Sequence, residues 1–288
     1  MRPATFEYVR ATTLEEAVQA LEAADANAEV LAGGQVLVNR MRARLARPGT
    51  VVDISRLDDL RYARVEGDDL VVGALATMRD LESADAVRQR CPALAEAAAA
   101  VGDLQVRNRA TLGGNFFNPD PVSDMAPVLL AADGQVVVHG PDGRRRLGAE
   151  EFLTNGPPRQ ALAAGEILVE VRFGSAATAS AFEKLSRRAA DPPIVNAAAA
   201  VSVEADRISA VGLALVGVHQ LPVRARPVEQ QLAGHAFDGE QATAVLREFV
   251  ATLDPPSNAH ADAAYRRDTA PVVALRALRR ALERAGRR

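Results

Sequence analysis

Apolar and polar residues alternate along the first third of the chain in short blocks that predict strands and helices by turns. Phe6-Glu7-Tyr8-Val9 reads as a short strand. Thr13 with Glu16 three residues on is the S/T-x-x-E signature of a capped helix start. Leu14, Val18 and Leu21 recur at i, i+4 and i+7 and give that helix one apolar face. Glu29-Val30-Leu31 returns as a strand and runs into Gly33-Gly34. An arginine-rich segment over 39–44 follows, then a strand over 50–54. This order of strand, helix, strand, glycine loop, helix and strand predicts a compact α/β unit.

Beyond residue 60 the signals are mixed. Segments 61–65 and 70–73 pair as a hairpin across Glu66-Gly67-Asp68-Asp69, where Gly and Asp suit the turn. Helices are predicted over 77–90, 92–101 and, after a loop, 123–132. Strands over 135–139 and 167–173 close the section, and Gly174-Ser175-Ala176-Ala177 reads as a connector. Past it, 197–205 and 207–218 form two long strands of small residues around a turn at Ala205-Asp206. Helices follow over 238–253 and 260–285, the last with Val272, Leu275 and Leu278 as its inward stripe. The chain thus divides into residues 1–175, in subdomains of about 1–57 and 58–175, and a second domain over 178–288.

Composition narrows the function classes. The 288 residues are 48% hydrophobic and 25% charged with net charge −3, which suits about two globular domains. No basic field points to nucleic acid as a partner. No window holds the ~18 uninterrupted apolar residues of a membrane span. The N-terminal residues show neither a signal peptide nor an acid-poor leader, so a cytoplasmic protein is expected. The single cysteine, Cys91, excludes an internal disulfide, an iron–sulfur cluster and a Cys-based zinc site. Any redox chemistry must therefore come with a bound cofactor. Alanine occurs 58 times, and 33 of the 34 basic residues are arginine, leaving Lys184 as the only lysine. The last helix carries Arg266, Arg267, Arg276, Arg279, Arg280, Arg284, Arg287 and Arg288 and is locally +5. That face suits subunit docking or, on the charges alone, plain solvation.

Two glycine segments carry the strongest chemical signal. Ala32-Gly33-Gly34-Gln35 directly follows a strand, and Thr111-Leu112-Gly113-Gly114-Asn115 follows a loop or short strand. A Gly-Gly pair at a strand end lets the backbone turn sharply and present successive N–H groups to an anion. Two such loops in opposition would clamp a diphosphate, although either pair alone is more often a plain turn. Neither G-x-x-x-x-G-K-[ST] nor a helix-opening G-x-G-x-x-G is present, which excludes P-loop and Rossmann motifs. His139, His219, His235 and His260 fall in separate elements without metal spacing, and no G-x-S-x-G elbow occurs.

The first loop runs on through 41–48 to Val52-Asp53-Ile54. The second, preceded by Arg109-Ala110, continues to Pro119, Pro121 and Ser123-Asp124-Met125-Ala126-Pro127. With Phe182-Glu183-Lys184-Leu185, Pro222-Val223-Arg224 and Tyr265-Arg266-Arg267, this resembles the FAD-binding medium subunit of the molybdenum hydroxylases, the xanthine and carbon monoxide dehydrogenase family. The resemblance covers nearly the whole chain. It implies an α+β protein, with a two-subdomain FAD-binding fold of the vanillyl-alcohol-oxidase type and a C-terminal antiparallel sheet with helices. It also implies non-covalent FAD held by Ala32, Gly33, Gly34, Gln35 and Val36 and by Thr111, Leu112, Gly113, Gly114 and Asn115. Asp124, Lys184 and Leu168 (or Ile167, one residue off in register) match further flavin-contacting positions. Asp124 reads equally as an acidic cap on the helix it opens.

By the same resemblance, the chain is an oxidoreductase subunit with no catalytic or metal-binding residue of its own. It would receive electrons from [2Fe–2S] clusters on a small partner, beside a large molybdopterin subunit, in a dimer of heterotrimers. It would pass them to NAD or a quinone. Two other functions compete: a stand-alone FAD-dependent NAD(P)H reductase or oxidase, and a flavin-less scaffold. The chain departs from its relatives in two places. Pro192-Pro193 follows Asp191 where some carry an aromatic over the flavin ring, a cover that Phe116 and Phe117 are placed to replace unless they are core. Val36 stands where a small polar residue is common.

Overall fold

The computed structural model describes residues 2–24, 27–118, 123–174 and 179–286. The connector expected from Gly174 lies, beyond that glycine, outside the described residues, as do Pro119, Pro121, Arg287 and Arg288.

The N-terminal unit is a parallel three-stranded sheet. Strand β1 (Glu7–Arg10) is followed by helix α1 (Leu14–Ala23), β2 (Ala28–Leu31), α2 (Leu37–Arg42) and β3 (Thr50–Asp53), with strand order β1-β3-β2. Thr13 caps α1 by accepting from the Glu16 N–H at 3.1 Å. The Glu16 carboxylate reaches back one residue further than a capping box requires, to the Thr12 N–H and hydroxyl at 2.7 and 2.6 Å. Ala17, Val18 and Leu21 are buried beneath the sheet, with Leu14 partly so.

Next comes an antiparallel five-stranded sheet. The hairpin of β4 (Ala63–Glu66) and β5 (Asp69–Gly73) turns on Gly67, which has φ +60°. The expected 77–90 helix is two helices, α3 (Met78–Ser83) and α4 (Asp85–Arg90), because the backbone at Ala84 is extended. Thr77 and Asp80 form a complete capping box at the start of α3. Helices α5 (Pro92–Ala99), α6 (Leu104–Arg107), α7 (Leu112–Phe116) and α8 (Ala126–Ala131) lead into β6 (Gln135–Gly140) and β7 (Gly143–Gly148). Helix α9 (Ala149–Thr154) and strand β8 (Ile167–Phe173) complete the unit, with sheet order β4-β5-β8-β6-β7.

The last unit begins with β9 (Ser180–Leu185), β10 (Val195–Glu204) and β11 (Arg207–Val216). It continues with β12 (Val223–Arg224), α10 (Arg226–Leu232), α11 (Gly239–Ala251) and α12 (Ala263–Ala285). Its sheet is antiparallel, in the order β12-β11-β10-β9. The β10–β11 turn places Ala205 and Asp206 both at positive φ (48° and 60°), the backbone a two-residue hairpin needs for strand twist.

Alternation along β10 and β11 explains their small residues. Ala198, Ala200, Ala214 and Val216 face the core shared with the middle sheet and α5 and α8, while Ala197, Ala199, Leu213 and Leu215 face α12. With helices on both sides, only small side chains let the layers close. Gly212 shows how tightly: a Cβ there would lie 1.9 Å from the Ala131 carbonyl oxygen at the end of α8.

Two expectations about α12 are corrected. Val272 is 47% exposed, and the buried stripe is Ala270, Val273, Ala274, Ala277, Leu278 and Ala281. Its basic residues are neither a free docking face nor all solvated. Arg266 is fully buried, donating to the Ile194 carbonyl and to Asn258 Oδ1. Arg280 and Arg284 both bind Glu96 on α5, and Arg280 also binds Glu183. Among the described residues no helix is long and apolar enough to cross a membrane.

Candidate functional site

The first glycine segment lines a cleft of about 270 Å³ at the C-terminal end of the parallel sheet. Gly34 has φ +75°, which a side-chain-bearing residue adopts only with strain. Gly33 is required by close approach: a Cβ there would lie 1.9 Å from the Arg109 carbonyl oxygen. The first segment is thus packed directly against the residues that lead into the second. Among the described residues, no acceptor takes the backbone N–H groups of Gly33, Gly34, Gln35 or Val36. The Val36 side chain caps nothing at the start of α2, so its departure from a polar residue leaves the backbone donors untouched.

The second segment differs from expectation. It is the first turn of α7 with Thr111 as N-cap, and the N–H groups after Thr111 are already engaged. The Leu112 and Gly113 N–H groups donate to the carbonyls of Ala76 and Ala74, each at 2.9 Å. The Gly114 N–H goes to Thr111 Oγ1 at 3.2 Å, and the Asn115 N–H to the Thr111 carbonyl at 3.0 Å. Its glycines serve contact. A Cβ on Gly113 would lie 3.0 Å from Ala74 Cβ and 3.3 Å from Leu168 Cδ2. In β8, Leu168 faces this turn, while Ile167 packs in the N-terminal core. Phe116 and Phe117 both pack edge-on against Phe152 and belong to the core.

From α7 a polar chain leads into the seam between the two larger units. Ser123 Oγ donates to Asn115 Oδ1 (2.6 Å) and accepts the Ala126 N–H, so the side chain that meets the start of α8, whose N-cap is Met125, is that of Ser123 and not Asp124. Asp124 is buried and turned the other way. Its Oδ2 receives Lys184 Nζ and its Oδ1 receives Asn196 Nδ2, both at 2.9 Å. Lys184 Nζ also donates to the Ala100 carbonyl at 2.9 Å, leaving one of its three donors uncommitted among the described residues. Burial pushes the Asp124 carboxyl up, and Lys184 and Asn196 work against that rise.

Sequence reasoning missed several members of these two sites, Leu31, Val38 and Asn39 among them. Asp53, Ser55 and Arg109 line the cleft, and Asn196 completes the buried cluster. Asn196 was signalled by being the one amide in an otherwise apolar strand, and Asp53 by ending a buried one. The cleft includes no histidine and no cysteine. Burial raises the Cys91 thiol to about 11, so it stays protonated and unreactive. No three-residue cluster suited to a metal occurs among the described residues.

Comparison with known proteins agrees with this architecture. Residues 4–175 match the family described as FAD binding domain in molybdopterin dehydrogenase, and residues 180–281 match the CO dehydrogenase flavoprotein C-terminal domain. The chain is 34% identical over 286 residues to the carbon monoxide dehydrogenase medium chain of Hydrogenophaga pseudoflava, covering 99% of each. It is 32% identical over 280 residues to the glyceraldehyde dehydrogenase medium chain of Sulfolobus acidocaldarius, covering 97% of this chain and 99% of that one. Among solved structures, Hydrogenophaga pseudoflava carbon monoxide dehydrogenase superposes with TM-score 0.93 at 35% identity, covering 99% of both chains. Quinoline 2-oxidoreductase from Pseudomonas putida 86 superposes with TM-score 0.90 at 28% identity, covering 99% of this chain and 100% of that one. The chain therefore belongs to the family of FAD-binding medium subunits of the molybdopterin and carbon monoxide dehydrogenases.

Proposed function

We propose that this chain is the FAD-carrying electron-transfer subunit of a molybdenum hydroxylase. In this reading it takes electrons from the [2Fe–2S] clusters of a small partner and delivers them to an external acceptor, NAD or a quinone. The molybdopterin stays on a large partner subunit, the complex is a dimer of heterotrimers, and it resides in the cytoplasm. One observation carries the reading: a glycine cleft with four unused backbone donors is joined, through α7 and Ser123, to a buried lysine at the domain seam.

The residues present fit FAD. Ala32, Gly33, Gly34, Gln35 and Val36 bind the diphosphate through backbone N–H groups that have no other acceptor. Thr111, Leu112, Gly113, Gly114 and Asn115 would contribute differently, since the backbone N–H groups of the last four are spent within the protein. Gly114 is exposed and, having no side chain, would let the cofactor approach this turn, with Leu168 packed beneath it. Lys184, oriented by Asp124 and Ala100, keeps one N–H uncommitted and would favour negative charge on a flavin bound beside it. Asp124 acts by holding that ammonium, because both of its oxygens are taken. Bound flavin supplies the ability to accept single electrons and release a pair. No side chain of this subunit needs to move a proton for the substrate, whose chemistry belongs to the large partner.

Purification of the chain tests the assignment. Flavin absorbance at about 450 nm, released on denaturation as FAD, is the expected result. A chain that takes up no FAD on reconstitution would overturn it and favour the scaffold. Copurification with iron–sulfur and molybdenum subunits separates the complex from a stand-alone reductase. Anaerobic photoreduction followed by NAD⁺ addition reads the acceptor.

A further inference from the structure

The buried cluster at the domain seam contains one residue whose presence stability does not explain. Asn196 and Lys184 stand directly opposite each other in the β9–β10 ladder, so their side chains leave the same face of the sheet. That face meets α5 and α8, and the next two residues of β10 that point into it are Ala198 and Ala200. An apolar residue at 196 would continue the pattern. Asn196 is instead fully buried, with Nδ2 donating to Asp124 Oδ1 at 2.9 Å. Its own Oδ1 is sealed from solvent and meets no donor among the described residues. An orphaned buried acceptor is destabilising. The amide cannot turn round to relieve it, because Oδ1 would then face a carboxylate.

What the amide gains is control of its neighbour. Asp124 is held from two sides, Oδ1 by Asn196 and Oδ2 by Lys184, and two donors on two oxygens leave the carboxylate one orientation. Lys184 Nζ is in turn fixed between that Oδ2 and the Ala100 carbonyl. Without the Asn196 donor the carboxylate is free to rotate, and it loses one of the two groups that favour its charged form against burial. The ammonium then loses a fixed counter-charge. Other carboxylates of the seam are already committed: Glu96 on α5 to Arg280 and Arg284, and Asp133 after α8 to Arg224.

We propose that Asn196 is the positioning residue of this cluster: acting through Asp124, it holds the Lys184 ammonium in place and so sets the reduction potential of a flavin bound beside it. Resting on the FAD-carrying reading above, this role falls to a side chain too deeply buried to touch the cofactor itself. A local rule of core packing is broken at 196, and breaks of that kind concentrate at functional sites.

The experiment exploits the fact that Lys184 is the only lysine of the chain, so isotope-labelled lysine gives a single side-chain ammonium signal in heteronuclear NMR. In the full chain stripped of flavin, that signal is expected in wild type, because a buried and hydrogen-bonded ammonium exchanges its protons slowly. Asn196→Leu is expected to lose it. Asn196→Asp is isosteric, and at mildly acidic pH its carboxyl shares one proton with Asp124 and supplies the missing hydrogen bond. Its ammonium signal is therefore expected at mildly acidic pH and lost as pH rises, a profile that packing damage does not produce. In the flavin-loaded chain, Asn196→Leu is expected to lower the two-electron potential by about 30 mV, a tenfold fall in affinity for reduced relative to oxidised flavin. A wild-type ammonium signal in Asn196→Leu overturns the proposal. So does a lost signal with an unmoved potential, which would place Lys184 out of electrostatic reach of the flavin. Should Asn196→Leu not fold, Asn196→Asp decides: an ammonium signal with the wild-type pH profile overturns the proposal. A wild type that takes up no FAD fails the functional reading and the potential with it, while the ammonium signals still decide whether Asn196 holds Lys184.

Discussion

Lys184 is a lysine in a chain that uses arginine for every other basic position, and its surroundings explain the choice. The ammonium sits between the Ala100 carbonyl and Asp124 Oδ2, both at 2.9 Å, with its side chain 8% exposed. A compact three-donor cation fits that space, and a planar guanidinium does not. Lys184→Met would leave a buried carboxylate unpaired and is expected to cost on the order of 3–5 kcal/mol in urea denaturation. A loss below about 1 kcal/mol would mean the pair is solvated. Glu166 gives the pH-dependent counterpart. Arg145 donates to both of its oxygens at 2.6 Å and the Ala163 N–H adds a third bond, so its carboxyl is held below the usual range. A lowered folded value stabilises the protein above the ordinary carboxylate pKa, and that stability is lost as pH falls through the folded value. Arg145→Gln is expected to cost up to about 1 kcal/mol at neutral pH, discounted because Arg145 is partly exposed. The deficit relative to wild type should close on acidification. A deficit independent of pH would assign the loss to packing instead.

At the level of elements, the alanines stop being mere composition. Strand β10 is buried on both faces, and α12 lays Ala270, Ala274, Ala277 and Ala281 against it. These contacts fix a short distance between helix and sheet, which larger residues would forbid. Ala277→Leu is therefore expected to destabilise by about 1–3 kcal/mol through overpacking, whereas Val272→Ser on the exposed face of the same helix stays within about 0.5 kcal/mol. Thermal unfolding of the two variants distinguishes them, and equal effects would contradict the observed stripe. Period-3.6 reading located α12 and placed Leu275 and Leu278 toward the core, but it put Val272 there in place of the alanines, because it weighted large apolar residues in a helix whose buried side is mostly small ones.

Across the whole molecule, several polar ties join the C-terminal unit to the rest. Asp124 takes Lys184 and Asn196, Glu96 takes Arg280, Arg284 and the Phe182 N–H, and Arg224 reaches Asp133 and the Leu130 carbonyl. Glu96→Ala leaves Arg284 without a carboxylate and Arg280 with Glu183 alone, and the expected cost is about 1–3 kcal/mol, read as a lower calorimetric midpoint. An unchanged midpoint would show that the seam is held by apolar contact alone. The ties also mark the division between what could be read and what could not. Sequence alone determined the alternating N-terminal unit, the hairpin at Gly67, the long small-residue strands and the two glycine segments. Each of these rests on local backbone preference or on short-range periodicity, which a linear string records. Only tertiary structure decided that the second glycine segment spends its own N–H groups, since its acceptors on Ala74 and Ala76 lie far back in the chain. It alone turned Asp124 from a helix cap into the partner of Lys184, and half of the basic face of α12 into internal ties. A charge reveals its sign in sequence, but its partner is fixed by the packing of elements that the sequence keeps far apart.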